Sequence, residues 1–459
     1  MPTQCTGEQS VSERVGARSL AVDFDGGRIS SDAGALLLRH VDQSLKLTDR
    51  IAACFQDGRN PDLIEHSVRT LVLQRVVGIA LGYEDLNDHD QLRRDPVLAT
   101  LAGKLVARRK GCEALAGKST LNRLEHPAGG GKPGRYHKIS HDPKAFEALF
   151  VDCFIEAHTQ APEEIVLDLD ATDDPLHGQQ EGRFFHGYYR EYCYLPLYIF
   201  CGRHLLAAKL RCANVDGAAG SVEEVERIVG QIRRHWPRVR IVLRADSGFA
   251  RDALMHWCES NGVDYLFGLA KNTRLNDEID AELSDARAEC ERTGQAARRF
   301  RDFTYRTRES WSRERRVVGK AEQLPGKANP RFIVTSLDAQ RWPAQALYET
   351  LYCARGEMEN RIKECQLHLF ADRTSTATLR ANQLRLWFAS FAYLMLETLR
   401  RVGLHGTDLA NATCESLRLK LLKIGALVKV SVRRIHVSMT SAHPFQEEWR
   451  LAQARLRPA

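Results

Sequence analysis

Apolar residues recur at helical spacing in the first part of the chain and at shorter, strand-like spacing in the second. Residues 29–124 follow the helical period, with a long periodic run at 61–83, and predict an all-helical domain. A further helical run at 145–158 comes before the change of spacing. The predicted strands are 164–170, 189–200, 204–211, 240–246 and 263–269, with helices at 221–235 and 251–260. Antiparallel strands followed by alternating strands and helices indicate an α/β fold.

Two stretches interrupt these patterns and predict boundaries. Residues 127–134 are rich in Gly and Pro, which sustain neither a helix nor a packed strand, so they predict a linker. Between 273 and 331 the strand and helix rhythm gives way to a charged region that we interpret as an insertion. The pattern therefore predicts four parts: a helical N-terminal domain at 1–140, an α/β core at 141–275 and 331–400, an inserted basic subdomain at 276–330, and a basic C-terminal region at 401–459.

Composition limits the class of protein only broadly. The 459 residues carry a net charge of +7, which allows a polyanionic partner without requiring one. The 12 cysteines form no Cys-x-x-Cys pair, so neither a zinc knuckle nor a disulfide framework is indicated. The opening residues lack an apolar signal segment, and the most apolar late stretch, 386–396, is too short to span a bilayer. We expect a cytoplasmic protein with no membrane partner.

Positive charge is concentrated in two stretches. Residues 298–320 hold nine Lys or Arg against three acids, mixed with aromatic residues, as expected of a surface that binds nucleic acid. The candidate contacts there are Arg306, Arg308, Trp311, Arg315 and Arg316. A solvated charged hairpin explains this stretch equally well. Residues 418–434 contain six cations and no acid, and either a DNA contact or an amphipathic surface would account for them.

Acidic residues stand on two of the predicted strands. Strand side chains alternate between faces, so Asp168 and Asp170 share one surface of the first strand. Asp246 ends another strand just before Ser247 and Gly248, at a carboxyl end, where open α/β sheets place their sites. An Asp before Ser-Gly is also a common turn residue.

A third acidic segment predicts a helix with a chemically distinctive face. Tyr352, Arg355, Glu359 and Lys363 fall at i, i+3, i+7 and i+11, and so share one face. At about 100° per residue, Glu357 projects roughly 200° from Arg355, whereas Glu359 lies within about 40° of it. Geometry therefore favours Glu359 as the functional acid. An ordinary amphipathic helix with salt bridges remains the alternative.

Three acids on two strands and a helix suit one kind of metal site. Mg²⁺ prefers a few carboxylates and takes the rest of its shell from water and substrate phosphates. Asp170, Asp246 and Glu359 supply such ligands. Two ions about 4 Å apart could activate the attacking oxygen and stabilise the leaving oxygen of a displacement at phosphorus.

Together these motifs resemble the DDE transposases of bacterial insertion sequences, in the branch whose Glu helix carries Tyr-x2-Arg-x3-Glu-x6-Lys. Tyr352, Arg355 and Glu359 match that spacing, while Gln366 occupies the Lys position and Lys363 is the candidate substitute. The phrases at 168–178 and 431–437 look most like the group numbered thirteen-eighty, and the similarity covers most of the chain.

The same resemblance assigns the acids. The first strand is similar to the family's Asp-x-Thr strand, which makes Asp170 the first ligand and Asp168 the alternative first-strand acid, with Asp246 as the second ligand. It implies a ribonuclease-H-like core with a β-rich insertion, and a helical N-terminal domain that binds DNA. It also implies that Tyr352 and Arg355 hold terminal phosphates.

The activity implied is movement of a mobile element. The enzyme would cut the element ends as an endonuclease and join the freed 3′-hydroxyls to target DNA, using two Mg²⁺ ions, with Mn²⁺ as a substitute. Its partners would be double-stranded DNA, both terminal inverted repeats and target, and a second copy of the chain in a synaptic complex. In the bacterial cytoplasm it would associate with the nucleoid when bound to DNA.

Two alternatives remain. A phosphatase of the haloacid-dehalogenase kind would use the Asp-x-Asp-x-Thr pattern at 168–172, with Asp168 as nucleophile and Asp170 as acid and base. Such a site has no use for a Glu helix aligned with Tyr and Arg. A DNA-binding relative without catalysis is the other alternative, and the presence of all three acids argues against it.

Overall fold

The computed structural model describes residues 10–126 and 137–457. The linker predicted at 127–134 lies outside the described residues. The chain forms two compact units. The first unit combines Met1–Ala52, Gly58–Leu124 and Thr398–Ala459, and the second combines Ala53–Asp57 and Glu125–Glu397. Among the described residues, no helix has the length and apolar character needed to cross a membrane.

The first unit is mainly helical. Its helices are Leu36–Leu45, Leu47–Ala53, Val68–Ala80, His89–Leu92, Pro96–Ala102, Lys118–Glu125, Cys414–Leu417 and Gln446–Leu456. Its strands are Ser10–Val15, Arg18–Val22, Ile29–Ser30, Ala426–Val430 and Ile435–Met439. Ile29–Ser30 pairs with Ala426–Val430, so early and late parts of the chain build one unit.

The second basic stretch lies in this unit, and two of its cations have internal partners. Arg418 is buried and its Nε donates to the carbonyl of Ala80 at 3.0 Å. Lys423 Nζ lies 2.7 Å from the buried carboxylate of Asp32 and 4.0 Å from the ring centre of Tyr83. These two charges therefore stabilise the fold of the first unit.

A nine-stranded mixed sheet forms the centre of the second unit. Its main strands are β1 (Glu164–Ala171), β2 (Leu197–Cys201), β3 (His204–Lys209), β4 (Arg240–Ala245), β5 (Asp264–Leu269), β6 (Ala297–Tyr305), β7 (Arg315–Leu324) and β8 (Arg331–Thr335). The spatial order is β3-β2-β1-β4-β5-β8-β7-β6, and Lys327–Ala328 pairs with β7. β4 runs parallel to β1 and β5, whereas the other pairs are antiparallel. The predicted α/β character is confirmed.

Helices cover the sheet. They are α1 (Pro143–Glu156), α2 (Ser221–His235), α3 (Asp252–Ser260), α4 (Thr273–Glu278), α5 (Asp280–Thr293) and α6 (Leu379–Thr398). Residues 344–368 form a run of consecutive helical turns, called here the site helix. Leu167 and Leu243 pack into the large core on one face of the sheet. Val242 on the opposite face packs in a cluster with Leu347, so the site helix lies over that face.

The region interpreted as an insertion is part of this sheet. Residues 276–330 begin with the end of α4 and helix α5, and strands β6 and β7 then continue the sheet beyond β8. The four-part division of the chain stays a prediction. Smaller two- and three-stranded sheets join Phe55–Asp57 to Ile139–His141, and Asp174–Pro175 and Phe184–His186 to Glu191–Tyr194. The strand predicted at 189–200 is therefore divided, because the chain passes from the small sheet to β2 at Leu195 and Pro196.

Candidate active site

The ends of β1 and β4 and the site helix line an open pocket of about 660 Å³. Asp170, Asp246 and Glu359 all line it, together with Arg355 and Lys363. The structure thus brings the three predicted acids and two of the predicted cations to one place. Because β1 and β4 are parallel neighbours, their carboxyl ends meet at the same edge of the sheet.

Asp170 experiences the other charges of the pocket. Its Oδ1 accepts a hydrogen bond from the amide of Ala171 at 2.9 Å, and its Oδ2 lies 3.6 Å from Arg355 Nη1. Burial raises the pKa of Asp170 to about 7, Arg355 opposes that shift, and repulsion from Asp246 and Glu359 adds to it. The three carboxylates therefore interact electrostatically, and Arg355 offsets part of the cost.

Asp246 is held by the turn that follows β4. It caps the turn Ser247–Phe249, and its Oδ1 accepts from the amide of Gly248 at 2.8 Å. Gly268 of β5 packs against this turn and the site helix: an added Cβ would lie 2.5 Å from the hydroxyl of Tyr352 and 2.9 Å from the amide of Ser247. Sequence analysis missed Gly268, although a Gly inside an apolar strand is a usual sign of close backbone approach.

The site helix departs from regular α geometry around its acid. Leu347–Tyr352 forms a π turn and Cys353–Arg355 a 3-10 turn, then Gly356–Lys363 is α-helical and Glu364–His368 forms another π turn. Such irregular turns occur often at functional sites.

Two acids of this helix take different positions. Glu359 Oε1 accepts from Arg355 Nη2 at 2.8 Å and faces the pocket. Glu357 instead pairs with Arg361 at 3.2 Å, and its side chain is 71% exposed. The structure therefore places Glu359 on the same side of the helix as Arg355, and Glu357 away from it, as helix geometry predicts.

Asp168 has a different position from Asp170. It is 3% exposed, and it accepts two hydrogen bonds, at 2.6 and 2.8 Å, from the guanidinium of Arg244, its register partner on β4. Arg244 also donates to the carbonyl of Leu351 in the site helix. This buried pair connects β1, β4 and the site helix. Asp168, the nucleophile required by the phosphatase alternative, is therefore buried and bound to Arg244.

The other residues of the helix motif differ in exposure. Tyr352 is half-buried, and burial raises the pKa of its phenol. Lys363 is exposed at the pocket. Gln366 donates to the Oδ1 of Asp174 at 3.0 Å and to the carbonyl of Asp173 at 2.9 Å. The amide at the family Lys position therefore connects the site helix to the chain that follows β1.

The aromatic and basic candidates of residues 298–320 are divided between interior and surface. Trp311 is 3% exposed and packs edge-on against Tyr305, with ring centres 5.8 Å apart. Arg315 is also buried, and Arg316 is bound to Asp302 and to backbone carbonyls of Leu337 and Trp342. The structure thus gives Trp311, Arg315 and Arg316 internal partners. Arg306 and Arg308 are exposed, and Arg306 Nε donates to the carbonyl of Trp311 at 3.2 Å.

The donor set of the pocket can be tested against a metal ion. Within residues 10–126 and 137–457, no three His, Cys, Asp or Glu side chains stand close enough together to hold one as they are arranged here. The chemistry nevertheless fits a hard cation, because the pocket acids offer only oxygen ligands. Burial and repulsion from the other carboxylates raise the pKa of Asp170, and a bound divalent cation would reduce that repulsion.

Comparisons with known proteins identify a family for the chain. The model of the family described as Transposase DDE domain group 1 matches residues 12–459. The chain is also similar to a solved cryo-EM structure of a piggyBac transposase synaptic complex with hairpin DNA, at 11% sequence identity and a TM-score of 0.41, covering 94% of this chain and 86% of that chain. No curated protein matches the chain.

Proposed function

Because this chain belongs to the Transposase DDE domain group 1 family, we propose that it cuts the ends of a bacterial insertion sequence and joins them to target DNA. The observation that carries the proposal is one pocket lined by Asp170, Asp246 and Glu359, contributed by two strands and a helix. The match of Tyr352 and Arg355 to the Tyr-Arg-Glu-Lys pattern supports the insertion-sequence branch and the group numbered thirteen-eighty.

DDE transposases generally use divalent metal ions. We assign Asp170, Asp246 and Glu359 as the ligands of Mg²⁺, with Mn²⁺ as a substitute. Two bound ions would activate the attacking oxygen and stabilise the leaving oxygen of an in-line displacement at phosphorus.

The chain's own residues position the acids and the DNA. Arg355 lies between Asp170 and Glu359 and limits their repulsion, and its planar fork is suited to a terminal phosphate. Lys363 adds positive charge at the exposed side of the pocket. The Asp168 and Arg244 pair fixes the site helix against the sheet, which keeps Glu359 facing the strand ends.

The partners follow from the reaction. We propose that the substrates are double-stranded DNA with terminal inverted repeats and a target duplex, and that two copies of the chain bring the ends together in a synaptic complex. The ribonuclease-H-like assignment is supported by antiparallel strands β1 to β3 followed by the β3-α2-β4-α3-β5 order. We propose a cytoplasmic protein that associates with the nucleoid through DNA.

Substitution of the three acids tests the proposal. Asp170→Ala, Asp246→Ala and Glu359→Ala should each reduce Mg²⁺-dependent cleavage of element-end DNA to background, because each removes a ligand, while binding of the ends persists in a gel-shift assay. Glu357→Ala is the matched control: this acid lies on the same helix but pairs with Arg361 outside the pocket, so cleavage should remain.

Three results would contradict the proposal. Cleavage by Glu359→Ala at the normal rate would show that Glu359 is not the third ligand. Hydrolysis of a small phosphomonoester that is lost in Asp168→Asn and kept in Glu359→Ala would favour the phosphatase. End binding by the unaltered protein without cutting in either Mg²⁺ or Mn²⁺ would indicate a non-catalytic relative.

A further inference from the structure

Arg251 is a third cation that lines the pocket of the three acids, called here the carboxylate pocket. It lines the pocket together with Arg355 and Lys363, but it comes from a different element. The turn that follows Asp246 leads to Arg251, whose amide donates to the carbonyl of Phe249 at 2.7 Å. The backbone of Arg251 is therefore fixed relative to one of the pocket acids.

The two arginines of the pocket have different partners. Arg355 is shared between Asp170 and Glu359, and its side chain is 20% exposed. Arg251 Nη2 instead donates to the Oδ2 of Asp216 at 2.9 Å, and these two side chains are 48% and 50% exposed. Ion pairs with this exposure contribute little to stability, because water screens both charges. The pair is therefore easily opened by an anion that enters the pocket.

Asp216 belongs to a loop that other contacts hold in place. The loop, residues 210–220, joins β3 to α2, and its Gly217 lines the pocket. Asp216 Oδ1 accepts from an amide two residues along the loop at 2.9 Å. Arg211 Nη1 donates to the carbonyl of Gly217 at 3.1 Å. Bonds other than the one to Arg251 therefore hold this wall of the pocket.

The guanidinium of Arg251 retains donors for a ligand. Within residues 10–126 and 137–457, its one side-chain hydrogen bond is that from Nη2 to Asp216. A guanidinium carries five N–H donors in a planar fork, and two of them can bind one phosphate through parallel bonds. Arg251 can therefore bind a phosphate with donors that Asp216 does not use.

We propose that Arg251 binds a backbone phosphate next to the scissile phosphate, and that Asp216 holds its guanidinium in place until DNA enters; this rests on the proposed function. A strand whose scissile phosphate lies at Asp170, Asp246 and Glu359 continues along the pocket beyond these acids. Arg251 pairs with Asp216 rather than with the acids, so its ligand is the neighbouring phosphate.

Single-turnover cleavage of the element-end duplex tests the inference. Arg251→Met should slow cleavage by roughly ten- to a hundredfold, because one charge-assisted phosphate contact is lost. Arg251→Lys keeps the charge without the planar fork and should recover part of the rate. Arg313→Met is the matched control: Arg313 pairs with Glu259, is 58% exposed and is not among the pocket-lining residues, so its rate should stay within about twofold.

Neutral phosphates identify the position that is contacted. A methylphosphonate removes the charge of one phosphate, and it is placed at each position near the cut in turn. At the contacted position it should slow the unaltered protein by roughly tenfold. The same substrate should slow Arg251→Met by less than about twofold, because that variant has no contact left to lose.

Metal-free DNA binding gives a readout that does not depend on cleavage. Arg251→Met should lower the slope of log affinity against log salt by about 1. Asp216→Asn keeps an acceptor for Arg251 but removes the competing charge, so it should tighten binding by about two- to fivefold. In the Arg251→Met background, Asp216→Asn should have no such effect. A pair with a purely structural role would instead weaken both single variants alike, and melting temperatures establish that each variant is folded.

The outcomes separate the inference from the proposed function. The inference is overturned by a normal rate and salt slope in Arg251→Met, by equal losses in Arg251→Met and Asp216→Asn, or by methylphosphonate effects that are independent of Arg251 at every position. Absence of cleavage by the unaltered protein would instead contradict the proposed function. The metal-free binding results would then decide whether Arg251 contacts a phosphate.

Discussion

The carboxylate pocket and the basic strands β6 and β7 are both rich in charge, yet they differ in how that charge is compensated. In the pocket lined by Asp170, Asp246 and Glu359, the guanidinium of Arg355 is shared between Asp170 and Glu359. In residues 298–320, seven of the nine cations have a carboxylate partner within 4 Å: Arg298, Arg299, Arg301, Arg313, Arg315, Arg316 and Lys320.

The difference shows where local charge is informative. The partners of the basic stretch include Asp252, Glu259 and Glu289, which lie outside residues 298–320, so counting charges within these 23 residues overstates the positive surface. The pocket acids come together from three distant segments, and two of them share the guanidinium of Arg355. Charge left uncompensated after folding is the better indicator of a functional site.

Loss of a buried cation from the basic strands should have the largest effect on stability. Arg315 is 2% exposed and donates to Asp252 and Glu259, so Arg315→Met would remove the buried cation from two carboxylates, leaving Glu259 with Arg313 and Asp252 with Ser312. We expect a destabilisation of about 3–5 kcal/mol, measured by urea unfolding. Arg313→Met is the matched control, because Arg313 also pairs with Glu259 but is 58% exposed, and it should cost less than about 1 kcal/mol. Equal costs for the two variants would show that burial does not distinguish these pairs.

An acid near the pocket should produce a smaller, pH-dependent effect. Burial raises the pKa of Asp174 to about 8, and Gln366 donates to its Oδ1. The folded state therefore keeps the proton between about pH 4 and 8 while the unfolded state loses it, so this residue's contribution to stability falls as pH rises through that window.

Asp174→Asn retains the acceptor for Gln366 and cannot ionise. Relative to the unaltered protein, it should be equally stable near pH 4 and progressively more stable as pH rises towards 8, measured from urea unfolding across the range. A stability difference that stays constant with pH would show that Asp174 is not a neutral buried acid.

An exposed cation of the basic stretch should have the smallest effect. Arg308→Ala should change the free energy of unfolding by less than about 0.5 kcal/mol, because the side chain is exposed. If Arg308 contacts a phosphate, DNA affinity should decrease and the slope of log affinity against log salt should fall by about 1. An unchanged slope in a salt titration would show that Arg308 does not contact a DNA phosphate.

Local sequence patterns predicted the central α/β elements well. Strands expected at 164–170, 240–246 and 263–269 correspond to β1, β4 and β5, and helices expected at 221–235 and 251–260 correspond to α2 and α3. Periodicity depends on neighbouring residues alone, which is why it identifies elements. It carries no information on pairing, so it could not predict that β6 to β8 extend the sheet, or that Ala426–Val430 pairs with Ile29–Ser30.

The residues of the candidate site also fall into those that local sequence patterns predict and those that they do not. The acids could be predicted because each ends a strand or occupies a helix face. The contacts that position them are tertiary: Arg244 joins Asp168 to the site helix, and Gly268 admits Tyr352 beside the Asp246 turn. The sequence alone gives no sign that Arg244 pairs with Asp168, and it leaves Asp168 as an alternative to Asp170 for the first ligand.

The two π turns of the site helix bear on how this protein tolerates insertions and deletions. A π turn holds one residue more than an α turn, so removing one residue from Glu364–His368 would restore regular geometry and rotate the later side chains by about 100°. The same deletion within Leu347–Tyr352 would turn Tyr348 and its neighbours relative to Glu359. The number of residues in this helix therefore sets which side chains enter the pocket, so a one-residue length change would alter the pocket even where Asp170, Asp246 and Glu359 are all retained.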